Sequence, residues 1–196
     1  MSDVLNRLRT VPAEVMDAAA YGADFAGALA ATSGVVWKLE RAQHFDEGDL
    51  PSYLAMVEGD WERAMELAER MRPGFRDDNP ARLDFRRIRV VEEPFTPYLR
   101  WELALLAMRA EEGENGRVVP VSAVRPYEGG GPVPELVLFR PTLLYEVLYD
   151  ETGRHVGARR ITDPRVVEPC VPVLAGLFER GEDLRAYWAR KRPASG

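Results

Sequence analysis

The stretch from Arg86 to Val121 constrains the fold more than any other. Arg87, Arg89 and Val91 fall on one face of a strand covering Arg86 to Val91, while Ile88 and Val90 fall on the other. Thr96 then caps a helix opened by Pro97, which runs to about Ala110 and is ended by Gly113 and Gly116. Arg117 to Val124 reads as a second strand, with Pro120 placing it at an edge or irregular position. A strand, a helix and a strand in succession give a layered architecture, α/β or α+β, with a mixed sheet.

The helix carries apolar residues on two sides. Tyr98, Trp101, Ala104, Leu105 and Met108 form one band, and Leu99, Leu103 and Leu106 form another. Glu102 and Arg109 lie between the bands, close in direction to Tyr98. If both faces of the sheet are covered, Arg87 and Arg89 point into a semi-buried space, and a buried charge must be paired. Glu102 is the partner nearest in sequence, with Glu40 and Glu92 as others.

Two accounts of this cluster follow. The plainer one is a structural ion pair that pins the helix to the sheet. The functional one is an anion pocket lined by Arg87, Arg89, Tyr98, Arg100, Trp101, Glu102, Trp37 and Glu40, in which arginine forks take a carboxylate or phosphate and aromatic residues wall the ligand. In a catalytic version Glu102 is the general base, although no nucleophile stands beside it. A filled cluster with paired arginines favours the first account, and a cleft with room for a ligand favours the second.

Composition removes other chemistries. The 196 residues include 46% hydrophobic and 30% charged residues, ordinary for a globular protein, and 26 basic residues against 32 acidic ones give a net charge of −6. That balance argues against direct nucleic-acid binding. Cys170 is the sole cysteine and His44 and His155 the only histidines, so neither an intrachain disulfide nor a zinc centre is expected, and no cofactor motif stands out. Gly129-Gly130-Gly131 is followed by Pro132 rather than by a lysine and a hydroxyl residue, so it is no phosphate loop. The plainest account of Cys170 is a small buried hydrophobe, of His155 an exposed strand residue, and of His44 a hydrogen-bonded loop residue. No apolar run is long enough to span a membrane and no signal pattern opens the chain, so a cytoplasmic protein is expected.

Around this unit the pattern sets out three parts. Residues 1–33 form a helical N-terminal arm, with a short helix from Pro12 to Ala20 or onward to Ala30. Residues 34–180 form the main α/β domain. Residues 181–196 form a C-terminal helix and a frayed tail. Gly34 to Phe45 reads as a strand, with Val35, Trp37 and Leu39 alternating with Val36, Lys38 and Glu40; Pro51 to Met71 is helical with a break at Gly59-Asp60, and Arg72 to Arg82 is a polar loop. Glu135–Phe139, Leu143–Tyr149 and His155–Ile161 form an antiparallel meander turned at Asp150–Gly153.

The run Arg87-Ile88-Arg89-Val90-Val91-Glu92-Glu93-Pro94-Phe95-Thr96-Pro97-Tyr98-Leu99-Arg100-Trp101-Glu102 resembles the signature of an actinobacterial family of domains of unknown function, with Arg-Val-Arg-Val-Val, Glu-Pro and Tyr-x-Arg-Trp-Glu elements. The resemblance extends over roughly Val35 to Phe178. It implies a regulatory or accessory role, because such domains are often encoded beside helix-turn-helix regulators. The chain departs from the pattern after the Leu138-Phe139 strand, where Arg140-Pro141 replaces an aspartate-rich turn. The strand order also faintly resembles half of a phospholipase-D-like domain, but that family's His-x-Lys-x-x-x-x-Asp motif is absent, so the likeness is one of topology alone.

The expectation is a non-catalytic regulatory or interaction protein. It would act through a helix-turn-helix regulator or other protein, through a small anionic ligand, or as a homodimer. The alternative is an accessory enzyme of specialised metabolism acting on a carboxylate- or phosphate-bearing molecule.

Overall fold

The computed structural model describes residues 4–78, 80–139 and 142–192. The frayed tail expected at the C-terminus and the Arg140-Pro141 departure lie largely or wholly outside the described residues.

The chain forms α1 (Val4–Arg7), β1 (Glu14–Asp17), α2 (Ala18–Ala31), β2 (Gly34–Glu40), α3 (Pro51–Val57), α4 (Trp61–Glu69), α5 (Arg72–Asp77), β3 (Leu83–Val91), α6 (Pro97–Glu111), β4 (Asn115–Pro120) and α7 (Val121–Val124). It continues with β5 (Glu135–Phe139), β6 (Leu143–Tyr149), β7 (His155–Ile161), α8 (Pro164–Val167), α9 (Cys170–Arg180), β8 (Glu182–Asp183) and α10 (Leu184–Lys191). Among the described residues the strands make one eight-stranded mixed sheet in the order β1-β7-β6-β5-β2-β3-β4-β8. The centre, β2-β3-β4, is parallel, and the other pairings are antiparallel. The expected α/β architecture, strand–helix–strand unit and C-terminal meander are all present.

Helices cover both faces. On one face Trp37, Leu39, Ile88, Val90 and Val119 meet α9 through Val173, Leu174 and Leu177, and α1 through Leu5. On the other face α2 packs on Val36, Val137, Phe139 and Tyr145. Beside it α6 and α10 pack on Val91 and Val118, and α3–α5 pack on the outer side of α6. The two apolar sides of α6 therefore separate as their spacing predicts. Leu99, Leu103 and Leu106 face the sheet and α10, whereas Tyr98, Trp101, Leu105 and Met108 face α3–α5. Thr96 accepts the Leu99 N–H and Asp60 the Arg63 N–H, so both expected caps form.

Four local expectations fail. The strand expected over Gly34 to Phe45 ends at Glu40, because the N–H groups of Arg41 and Ala42 turn to the Glu135 carboxylate. Arg72 to Arg82 is not all loop, because Pro73 sits in the first turn of α5, where its missing N–H costs nothing. The N-terminal arm is not wholly helical, because Glu14–Asp17 pairs with β7 as an edge strand. The strand expected to run through Val124 stops at Pro120, and the chain turns into α7. Cys170 is fully buried, with its thiol donating to the Val166 carbonyl. Among the described residues no helix is long and apolar enough to cross a membrane.

The docking of β1 depends on Gly157. Its φ is +147°, and a Cβ there would collide with the Met16 carbonyl oxygen and stand 3.0 Å from the Asp17 Cα. Gly157→Ala should therefore cost on the order of 2 kcal/mol in a urea melt. It should also speed amide exchange at residues 14–17, while β2-β3-β4 keeps its protection.

Candidate functional site

The period-two pleat puts Lys38 and Glu40 of β2 on the same face as Arg87 and Arg89 of β3, and the parallel register sets Lys38 beside Arg87 and Glu40 beside Arg89. Arg87 donates from Nη1 to Glu40 Oε2 at 2.7 Å, from Nη2 to Glu114 Oε2 at 3.1 Å, and from Nε to Glu114 Oε1. Arg89 donates from Nε to Glu102 Oε2 at 2.8 Å and from Nη1 to the carbonyls of Val90 and Glu40 at 3.0 and 3.3 Å. Its Nη2 lies 2.6 Å from Glu102 Oε2 but at an angle that makes no hydrogen bond, so that contact is charge attraction alone. Lys38 Nζ is 2.7 Å from Glu40 Oε1, and Arg109 Nε donates to Glu114 Oε2 at 3.0 Å. Arg89 is 0% exposed, and Arg87, Glu40, Glu102 and Glu114 are buried with it.

Glu102 is thus the partner of Arg89, and Glu40 that of Arg87, both named among the expected acids. The unforeseen member is Glu114, which lies between the C-terminal end of α6 and β4 and is shared by Arg87 and Arg109. Glu92 instead meets Arg41 near the surface.

Three expected wall residues do not wall a pocket. Trp37 lies on the opposite sheet face, 5.6 Å from the Phe178 ring and under Arg86. Trp101 donates its Nε1 to Ser52 Oγ at 2.9 Å, and Tyr98 donates its hydroxyl to Glu47 Oε1 at 2.8 Å, so both are fixed against α3 and the loop before it. Arg100 is exposed on the outside of α6. His155 is half-buried rather than exposed, with Nε2 3.1 Å from the Gly157 carbonyl oxygen. The His44 ring packs on Tyr98 at 4.9 Å.

The network sets its own titration. Burial alone would raise Glu40, yet Arg87, Lys38 and Arg89 together hold it well below the ordinary carboxylate range. Burial dominates at Glu102 and pushes it up to about 7, with Glu40 adding like charge and Arg89 pulling the other way. Glu135, at the head of β5, accepts the N–H groups of Arg41 and Ala42, and burial also moves it up to about 7. A pKa near 7 suits a general base, but Glu102 lines neither of the two clefts described below.

The larger cleft lies elsewhere. At their carboxyl ends β3 leads to α6 on one face of the sheet, and β4 leads to α7 on the other. Adjacent parallel strands that diverge in this way leave a crevice, the usual place for a ligand in an open α/β sheet. Here it is a cavity of about 830 Å³ between Glu92-Glu93, Pro120-Val121, Arg41 and Tyr187. Arg41 holds Glu92 and Glu128, Lys191 holds Glu93, and Arg190 holds Glu182. Arg125 and Arg180 also line the crevice, both are exposed, and neither makes an ion pair among the described residues.

A family model described as a domain of unknown function, DUF6879, matches residues 23–189. The chain belongs to the DUF6879 family. The DUF6879 region begins inside α2 and ends in α10, so it takes in the ion network and the crevice and leaves out β1. No curated protein matches the chain. Among solved structures, it is similar to TrmBL2, an archaeal chromatin protein whose structure is described as showing a novel mode of DNA binding. The TM-score is 0.41 at 14% identity, over 91% of this chain and 57% of that one. This chain therefore spans little more than half the length of that protein, and a likeness of this degree decides neither fold nor function.

Two outcomes test the network. Glu102→Leu strips Arg89 of its carboxylate acceptor in a dry site and should cost about 3 kcal/mol, whereas an Arg89→Met/Glu102→Met double variant should cost less than that single change. A carboxyl whose folded pKa exceeds its unfolded value of about 4.5 binds more protons when folded, so stability falls as pH rises from about 4.5 through 7. Glu40 has the opposite sign, and its contribution is lost as pH falls below about 4.5. The urea midpoint should accordingly be higher near pH 5 than near pH 7.5, and Glu102→Gln should flatten that decline.

Proposed function

We propose that this chain is a non-catalytic regulatory or interaction domain that works by holding a small anionic ligand in the crevice at the carboxyl ends of β2, β3 and β4. One contrast carries the reading. Arg87 and Arg89 are consumed by internal carboxylates, whereas Arg125 and Arg180 face a cavity of about 830 Å³ without ion pairs among the described residues. A guanidinium pair in a crevice suits a carboxylate or phosphate. Val91, Val118, Pro120 and Val121 supply apolar surface for the rest of such a molecule. The net charge of −6 supports a small anion or a protein partner over a nucleic acid. A helix-turn-helix regulator, which the resemblance implies, is a partner that ligand occupancy would serve.

The enzyme reading draws less support. Glu102, its only named base, is tied to Arg89, and no nucleophile stands beside it. Calorimetric titration with inorganic phosphate and with citrate tests the ligand reading. Arg125→Ala/Arg180→Ala should weaken binding of the preferred anion about tenfold or more without lowering the melting temperature, since both side chains are exposed. Equal affinity in the double variant, or no binding of either anion by the unaltered chain, would remove the crevice from the reading.

A further inference from the structure

Beside the closed network, α2 bridges the sheet and leaves a second cleft of about 350 Å³, within the range of small-molecule sites. Its walls are aromatic: Tyr21 and Phe25 from α2, Phe85 from β3, Tyr149 from β6 and His155 from β7. His155 stands between two tyrosines, its ring centroid 5.3 Å from Tyr21 and 5.8 Å from Tyr149, both at steep angles. The hydroxyls of Tyr21 and Tyr149 bond no protein group among the described residues. Burial nonetheless raises both, Tyr21 to about 12 and Tyr149 further. Neither hydroxyl is among the buried atoms left without a partner, so both are open to a ligand in the cleft.

The floor supplies charge. Lys38 meets Glu40 as an ion pair, and its side chain is 29% exposed. Around it stand Arg87 and Arg109, balanced by Glu40, Glu114 and Asp78. The three cations and three acids balance, and of the cations Lys38 alone makes a single carboxylate contact.

We propose that this cleft binds a planar aromatic carboxylate, with its ring between the aromatic residues of α2 and those of β6 and β7 and its carboxylate on Lys38. The ring takes offset or edge contacts from Tyr21, Phe25 and His155. The carboxylate gives the Lys38 ammonium group a second acid beside Glu40. The two free tyrosine hydroxyls set its orientation. The site rests on residues separate from those of the crevice, so each can fail alone.

Naphthoate and its neutral amide, naphthamide, are the probes, followed by calorimetry or ligand-observed NMR on the full chain. Lys38→Gln should weaken naphthoate about tenfold and leave naphthamide nearly unchanged. Phe25→Ala should weaken both probes. Leu29→Trp, which fills the cleft from its α2 wall without touching the network, should abolish both and keeps the test open if Lys38→Gln does not fold. Arg125→Ala/Arg180→Ala should leave naphthoate binding intact. The proposal is overturned if the unaltered chain does not bind naphthoate, if Leu29→Trp binds it as well as the unaltered chain, or if binding is lost only with the two crevice arginines.

Discussion

Two arginines on the dry face of a central parallel strand dictate much of the surrounding structure. A guanidinium keeps its charge at any pH the protein meets, so Arg87 and Arg89 cannot escape burial by losing a proton. Acids must come to them, and three separate segments supply those acids: Glu40 from the neighbouring strand, Glu102 from the covering helix and Glu114 from the link to the next strand. β2, β3, α6 and the entry to β4 are thereby joined by directional contacts. The apolar packing of Val91 and Val118 against α6 fixes how close these elements lie, while the ion pairs fix their registration. A buried pair of this kind adds little net stability over apolar side chains of the same size, so its contribution here is chiefly to geometry.

The same arrangement explains why the central charges are poor candidates for chemistry. Every nitrogen of Arg87 has an oxygen within reach, and Arg89 meets Glu102 and two main-chain carbonyls. Neither cavity exposes Arg89 or Glu102. One is opened by the divergence of β3 and β4 and the other by the way α2 rides over the meander. Lys38, Arg87 and Arg109 of the network border the aromatic cleft, whereas the crevice edged by the spare guanidiniums is lined by none of its members.

Much of the strand–helix–strand centre was legible because its signals are local. The alternation of Arg87 and Arg89 with Ile88 and Val90, the Thr96-Pro97 cap and the two bands of α6 each need only a few consecutive residues. The Glu102 partner followed from the burial of both faces. What failed needed pairing information. Trp37 and Glu40 were placed in one pocket, yet they are three residues apart on a strand and so face opposite ways, a conflict the period of two already contained. Glu114 sits 27 residues from Arg87 and joins it only because β4 lies beside β3. The aromatic cleft depends on α2 lying over β6 and β7, and no short-range pattern in the alanine-rich α2 indicates where it docks. Arg72 to Arg82 reads as loop because proline and glycine punctuate it, although a helix tolerates Pro73 in its first turn.

The sheet is bordered by segments from near opposite ends of the chain: Glu14–Asp17 lies along β7, and Glu182–Asp183 lies along β4. The family match starts at residue 23, so a fragment cut to that boundary would strip β7 of its neighbour. The four residues that pair with it, Gly157 to Arg160, would then present unsatisfied N–H and carbonyl groups to solution. An uncovered edge of that length is a template for another strand. Such a trimmed fragment would be prone to self-association through a surface that the longer chain keeps occupied with its own first strand.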